Sequence, residues 1–244
     1  MANNKSGFDN EDIIRNALNN KTYSQINKNL QELVRYCFNN YNGIIQCEKQ
    51  AGQNKSDLKI TIGNESYTYS VKKGTGNSVH QEPVGKFIEF LKDNYTISNQ
   101  LENDIKFFIW GDNTYDGTGN IADRLSANQF KKKHPDIIKR IIDFLAPIKT
   151  DLIKRFVIDG ADCSSFASDY IYYGNDIDGV CCKSDKALDW ISKNNCGGAI
   201  PIGRLSFQAW NRNINGGIKS EHKRGVIQLK WGNIKEDIKK ARDE

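Results

Sequence analysis

The sequence predicts an α/β fold with a central mixed β-sheet flanked by helices, and three patterns predict it. Leu58, Ile60 and Ile62 alternate with polar residues, Gly63-Asn64 follows, and Tyr67, Tyr69 and Val71 alternate again, as in a β-hairpin. Ile26, Leu30, Leu33, Val34, Cys37 and Phe38 make one apolar stripe at helical spacing. Residues 105–110, Ile-Lys-Phe-Phe-Ile-Trp, form a continuous apolar run closed by Gly111, the pattern of a buried strand.

Taken in order, the polar start of the chain runs into a helix-like stretch. A helix over 26–38 follows, with Ser24 as its expected N-cap and the Asn39–Gly43 run as its stop. Residues 44–50 read as a short strand, 51–56 as loop, and 58–72 as the hairpin. Gly74-Thr75-Gly76-Asn77 ends it. A helix begins near Pro83, a residue tolerated in a first turn, with Phe87, Ile88, Phe90 and Leu91 facing inward. Ile137, Ile138, Ile141, Ile142 and Leu145 predict a helix over 135–146. The last third reads as strand 166–173, helix 184–194, strands 202–210 and 224–231, and a charged C-terminal helix. Residues 1–150 are expected to form a core and 151–244 a second part sharing one body with it.

The chain has 244 residues, 38% of them hydrophobic, enough for a real core rather than a disordered tail. No signal-peptide pattern and no membrane-length apolar run is present, so a cytoplasmic protein is expected. The net charge of +5 fits a nucleic-acid partner without requiring one. None of the six cysteines forms C-x-x-C, and buried thiols are expected more than a zinc site from Cys163, Cys181, Cys182 and Cys196. Asp159, Asp162 and Asp169 read as loop and strand-edge acids, and Lys131-Lys132-Lys133 as a solvated or phosphate-facing run.

The polar side of the hairpin holds the chemistry. With Leu58, Ile60 and Ile62 inward, Asp57 points outward; with Tyr67, Tyr69 and Val71 inward, Ser70 and Lys72 point to that same side. A carboxylate that holds a hard cation beside a lysine that orients water suits phosphodiester hydrolysis. An ordinary strand-entry aspartate and a solvated lysine are the bland alternative.

Asp57 followed by Ser70-Val71-Lys72 resembles the PD-(D/E)XK endonucleases, and more closely their restriction-enzyme branch with S-x-K on the strand. Ser70 stands where the family usually has an acid, and Ser56 where it often has proline. The resemblance is strongest over residues 26–92 and extends in outline over 200–231. It implies a restriction-endonuclease-like fold, an endonuclease core at 1–150 and a DNA-recognition subdomain at 151–244. It implies Mg2+ held by Asp57 and Glu82, the latter from the helix after the hairpin, with Lys72 positioning the attacking water. In this fold the first long helix often brings an acid to the site, which makes Glu32, and less so Glu48, auxiliary candidates. His80 is expected to structure its loop or touch phosphate. Lys73, Asn77, Gln208, Asn211, Arg212, Asn213, Lys223, Arg224 and Lys230 are the expected DNA contacts: Gln208, Asn211, Arg212 and Asn213 to read base edges, arginine suiting guanine and asparagine or glutamine adenine, and Lys223, Arg224 and Lys230 to position phosphates. His134-Pro135-Asp136 opens a helix and is rejected as the motif. The expected partners are double-stranded DNA, a second copy of the chain, and a companion DNA methyltransferase. A nuclease of the same fold with another task, a DNA-binding protein without catalysis, and a metal-free structural protein are the rivals.

Overall fold

The computed structural model describes residues 5–50, 55–74, 78–160, 167–215 and 220–244, with the backbone alone for 5–8. Along the chain run α1 (Lys5–Leu18), α2 (Lys28–Cys37), β1 (Ile45–Lys49), β2 (Leu58–Ile62), β3 (Glu65–Lys72) and β4 (Ser78–Pro83). Next come α3 (Val84–Asn94), α4 (Asn99–Trp110), α5 (Ala127–Lys133), α6 (Pro135–Leu145) and α7 (Lys149–Ile153). β5 (Tyr170–Gly174), β6 (Gly179–Lys183), α8 (Ser184–Lys193), β7 (Ile200–Ile202), β8 (Leu205–Ala209), β9 (Val226–Lys230) and α9 (Ile234–Asp243) complete the chain. No helix among the described residues is long and apolar enough to cross a membrane.

The chain forms two compact units. Unit 1 takes Met1–Asn77, Lys154–Lys193 and Gly232–Glu244, and unit 2 takes Ser78–Ile153 and Asn194–Trp231. The units do not follow one another in sequence. The boundary expected near 150 coincides with one of several crossings.

Unit 1 carries a five-stranded sheet in the order β1-β2-β3-β5-β6. β3 and β5 are parallel and every other pair antiparallel, so this sheet is mixed, as expected. Gly63 at φ 58° lets two residues join Ile62 to Glu65, and the hairpin pairs Leu58 with Tyr69 and Ile60 with Tyr67. α1 packs on β1, and α2 and α9 on β6. Leu30, Leu33, Val34 and Cys37 of α2 are buried with Leu58, Ile60, Ile62, Tyr69 and Tyr170 in one core. The cap of α2 is Asn27, whose side chain accepts from the Leu30 amide, and not Ser24, which lies in a short 3-10 turn before it.

Unit 2 carries a four-stranded antiparallel sheet in the order β4-β9-β8-β7. Phe87, Phe108, Phe130 and Phe207 pack in its core. Two sequence expectations are corrected. Residues 105–110 are the end of helix α4, not a strand: Ser98 caps it, Leu101, Ile105, Phe108 and Ile109 line its buried face, and Gly111 closes it at φ 63°. The expected strand 202–210 is a hairpin, β7 and β8, turned at Gly203. β4 and β6 went unpredicted because each short strand runs directly into a helix start. Strand β5 begins at Tyr170; the start of the strand expected at 166 lies outside the described residues.

Candidate active site

The backbone places Asp57 before its side chain does anything. Its amide donates to Tyr69 O at 2.8 Å and its carbonyl accepts from Gln50 N at 3.0 Å, so it is the sheet residue just ahead of β2. Its Oδ2 accepts from the Val71 amide at 2.6 Å. The Lys72 ammonium donates to the same oxygen at 3.4 Å and to Val71 O at 3.1 Å. Both side chains are about 23% exposed, so the pair is partly screened from water yet open to a ligand. The expected convergence of Asp57 and Lys72 is therefore found.

A second acid comes from α1. Asn10, Ile14 and Leu18 bury the inner face of that helix, and Glu11 sits on the same flank. Lys49, the last residue of β1, bridges Glu11 at 3.3 Å and Asp12 at 3.2 Å. Burial raises the Glu11 pKa above its ordinary value, and the charge of Asp57 raises it further; Lys49 and Lys72 oppose both. Glu11 thus lies in the electrostatic neighbourhood of Asp57 and Lys72. The sequence alone does not mark it, because α1 looks like a charged, solvated lead-in. The i, i+4 spacing of Asn10, Ile14 and Leu18 was the available signal.

Ser70 needs a correction. It is fully buried and its hydroxyl has no hydrogen-bond partner among the described residues, so it does not face solvent beside Lys72. Its register partner is Ile171 of β5. The Ser56 hydroxyl, next to Asp57, is also buried without such a partner.

The other expected residues are scattered. Glu32 lines a small recess with Asn29, Tyr36, Tyr172 and Arg242, on the side of β6. Glu48 is exposed on β1 opposite Lys59. Glu82 is a residue of strand β4, not of a helix start; it belongs to unit 2, is 5% exposed, and lies 3.0 Å from His80 Nε2. Among the described residues no three His, Cys, Asp or Glu side chains gather as a metal cage. Lys73 is exposed, and Asn77 lies outside the described residues.

Two of the expected DNA contacts are corrected, the base reader Arg212 and the phosphate contact Arg224. Arg212 is buried over the Phe108 ring, 4.8 Å from its centroid, and donates to Leu125 O and Phe108 O; burial lowers its pKa to about 10. Arg224 is buried against Asp112 at 2.8 Å. Both guanidiniums hold unit 2 together, and neither can turn to a base edge without breaking the core. Asn211 and Asn213 bond to each other, to Ser220 O and to Glu221. Lys223 covers the Trp210 ring at 4.4 Å. Gln208 and Lys230 stand half-buried on the unit 2 sheet.

No protein-family model matches the chain, and comparison with curated proteins finds no match. The chemistry of the site therefore rests on its own geometry. Two acids beside two ammonium groups can hold a hard cation, orient a water and offset the charge of a phosphate.

Proposed function

We propose that the chain is a Mg2+-dependent endonuclease that cuts double-stranded DNA at a specific short site, of the PD-(D/E)XK type and in the manner of a type II restriction enzyme. The observation that carries this reading is the Lys72 ammonium held 3.4 Å from Asp57 Oδ2 at one end of a mixed sheet. Glu11, brought by the first helix, supports it by supplying the acid that Ser70 cannot.

The donor set suits a divalent cation. Two partly buried carboxylates that repel one another are what a hard ion stabilises. Asp57 and Glu11 are the residues that would hold Mg2+, which supplies charge neutralisation at the scissile phosphate and an acidified water. The Val71 amide fixes one Asp57 oxygen, and the other has no partner among the described residues. Lys72 positions the attacking water or contacts the phosphate, and Lys49 keeps Glu11 turned toward the site. Glu82, the acid the resemblance pointed to, instead faces His80 within unit 2. A homodimer matches palindromic sites by its own two-fold symmetry, and a companion methyltransferase would protect host DNA.

Incubation with unmethylated phage DNA and Mg2+, beside a Lys72→Ala control, tests the reading. Defined fragments are expected from the parent and intact DNA from the variant. Equal cutting by both removes Lys72 from the chemistry, and a smear replaces site specificity with general nuclease action. A second reading, a DNA-binding protein without catalysis, is favoured by the buried Ser70 at the acid position. A gel shift with no Mg2+-dependent cutting would select it.

A further inference from the structure

The register of the unit 2 sheet sorts its residues onto two faces. Phe207, Ala209, Ile227 and Leu229 are buried on one, toward Phe87 and Phe108. On the other, two polar rows cross three strands. Gln81 of β4, Gln228 of β9 and Gln208 of β8 stand side by side; next to them stand Ser78, Lys230 and Ser206. Neither row holds an aspartate or glutamate, in a chain with 30 of them. Lys230 has no carboxylate partner among the described residues. Beside the rows lies a cleft of about 300 Å³, floored by Ser206 and Gln208 and walled by Ser126, Asn128, Gly197 and Gly198. A Cβ on Gly198 would come within 2.3 Å of the Ser206 hydroxyl, so glycine keeps that wall close. α5, which starts at the cleft, ends in exposed Lys131, Lys132 and Lys133.

We infer that this polar face reads base edges of duplex DNA, with Gln208 contacting the adenine of one A·T pair. The inference takes its substrate class from the reading above. Gln208 donates one of its two amide N–H groups to Gln228 Oε1 at 3.1 Å. Its own Oε1 and the second N–H have no partner among the described residues, and they are the acceptor and donor that match N6 and N7 of adenine. Gln228, its 5% exposed neighbour across the β8–β9 ladder, is a positioning residue that fixes the plane of that amide. A carboxylate-free face with a central lysine suits the negative potential of a DNA groove. Neutral amides, unlike the lysines, carry sequence information.

The full chain carrying Lys72→Ala, which is not expected to cut, is used to select sites from a pool of randomised DNA duplexes. A motif with at least one A·T position is expected. Adding Gln208→Ala should weaken binding to that motif about tenfold and erase the preference at one A·T pair, with binding to scrambled duplex unchanged. Gln228→Ala should do the same. Lys230→Ala should weaken both duplexes alike and lower the salt slope by about one. Should alanine unfold the unit in a thermal melt, Gln208→Glu, which keeps the side-chain size, should show the same loss. A selection that yields no motif, a motif that Gln208 variants read as the parent does, or preference for single strands or RNA overturns the inference. Motif binding without Mg2+-dependent cutting by the unaltered chain leaves it standing and removes the nuclease reading instead.

Discussion

Glu11 is held against its own electrostatic preference. Burial and the Asp57 charge raise its pKa, so ionising Glu11 is harder in the folded protein than in the unfolded chain. Its raised value means that stability is lost as pH climbs past the ordinary carboxylate value of 4.5. Glu11→Gln should therefore raise Tm at pH 7 in EDTA while lowering Mg2+-dependent cleavage at least about 10²-fold. A lower Tm with full cleavage would make Glu11 structural. Lys72→Ala should lower cleavage by about 10²–10⁴-fold. Glu221 behaves oppositely. Hydrogen bonds from Asn213, then from Arg224 and Arg124, lower its pKa to about 2. Its contribution is present above 4.5 and lost as pH falls toward 2. Glu221→Gln should lower Tm at pH 7, and the difference should vanish in melts near pH 2. Asp57 and Lys72 were legible because strand alternation fixes which side a residue faces. Glu11 was not, because a charged residue on a helix looks the same whether it faces water or a site.

At the scale of elements, α4 shows where local pattern misleads. Its last six residues contain five apolar ones in a near-continuous run, which a buried strand and a buried helix share. The Ser98 cap and Gly111 stop were the deciding marks. Gly111→Ala should destabilise unit 2, since its φ of 63° disfavours a side chain and a Cβ would lie 1.9 Å from Arg212 Nη1. The loop after α4 is tied by Asp112 to Arg224, whose side chains are 0% and 4% exposed. Asp112→Ala removes the buried carboxylate of that pair and should cost about 3–5 kcal/mol in chemical unfolding. A loss below about 1 kcal/mol would mean that Glu221 and the Gly117 and Trp110 carbonyls, which Arg224 also reaches, suffice for it.

For the whole molecule, the order of strands matters more than their number. β5 pairs with β3 across roughly a hundred residues of intervening chain, and unit 2 is inserted largely between them. A fragment ending at residue 150 lacks β5, β6, α8 and α9. It should give no cooperative thermal transition for unit 1, measured by near-ultraviolet circular dichroism. A native-like melt would show that the β1–β3 meander folds with α1 and α2 alone.

The sequence by itself determined the hairpin, the pairing of Asp57 with Lys72, the stripes of α2 and α6 and the mixed α/β class. Each follows from a period of two or 3.6 read over a dozen residues or fewer. Only the tertiary structure decided that Glu11 joins Asp57, that Ser70 is sealed in, that Arg212 and Arg224 are core residues, and that three glutamines share a row. Those facts depend on which distant segment packs against each residue. Burial and partners are properties of that packing, and local spacing does not encode them.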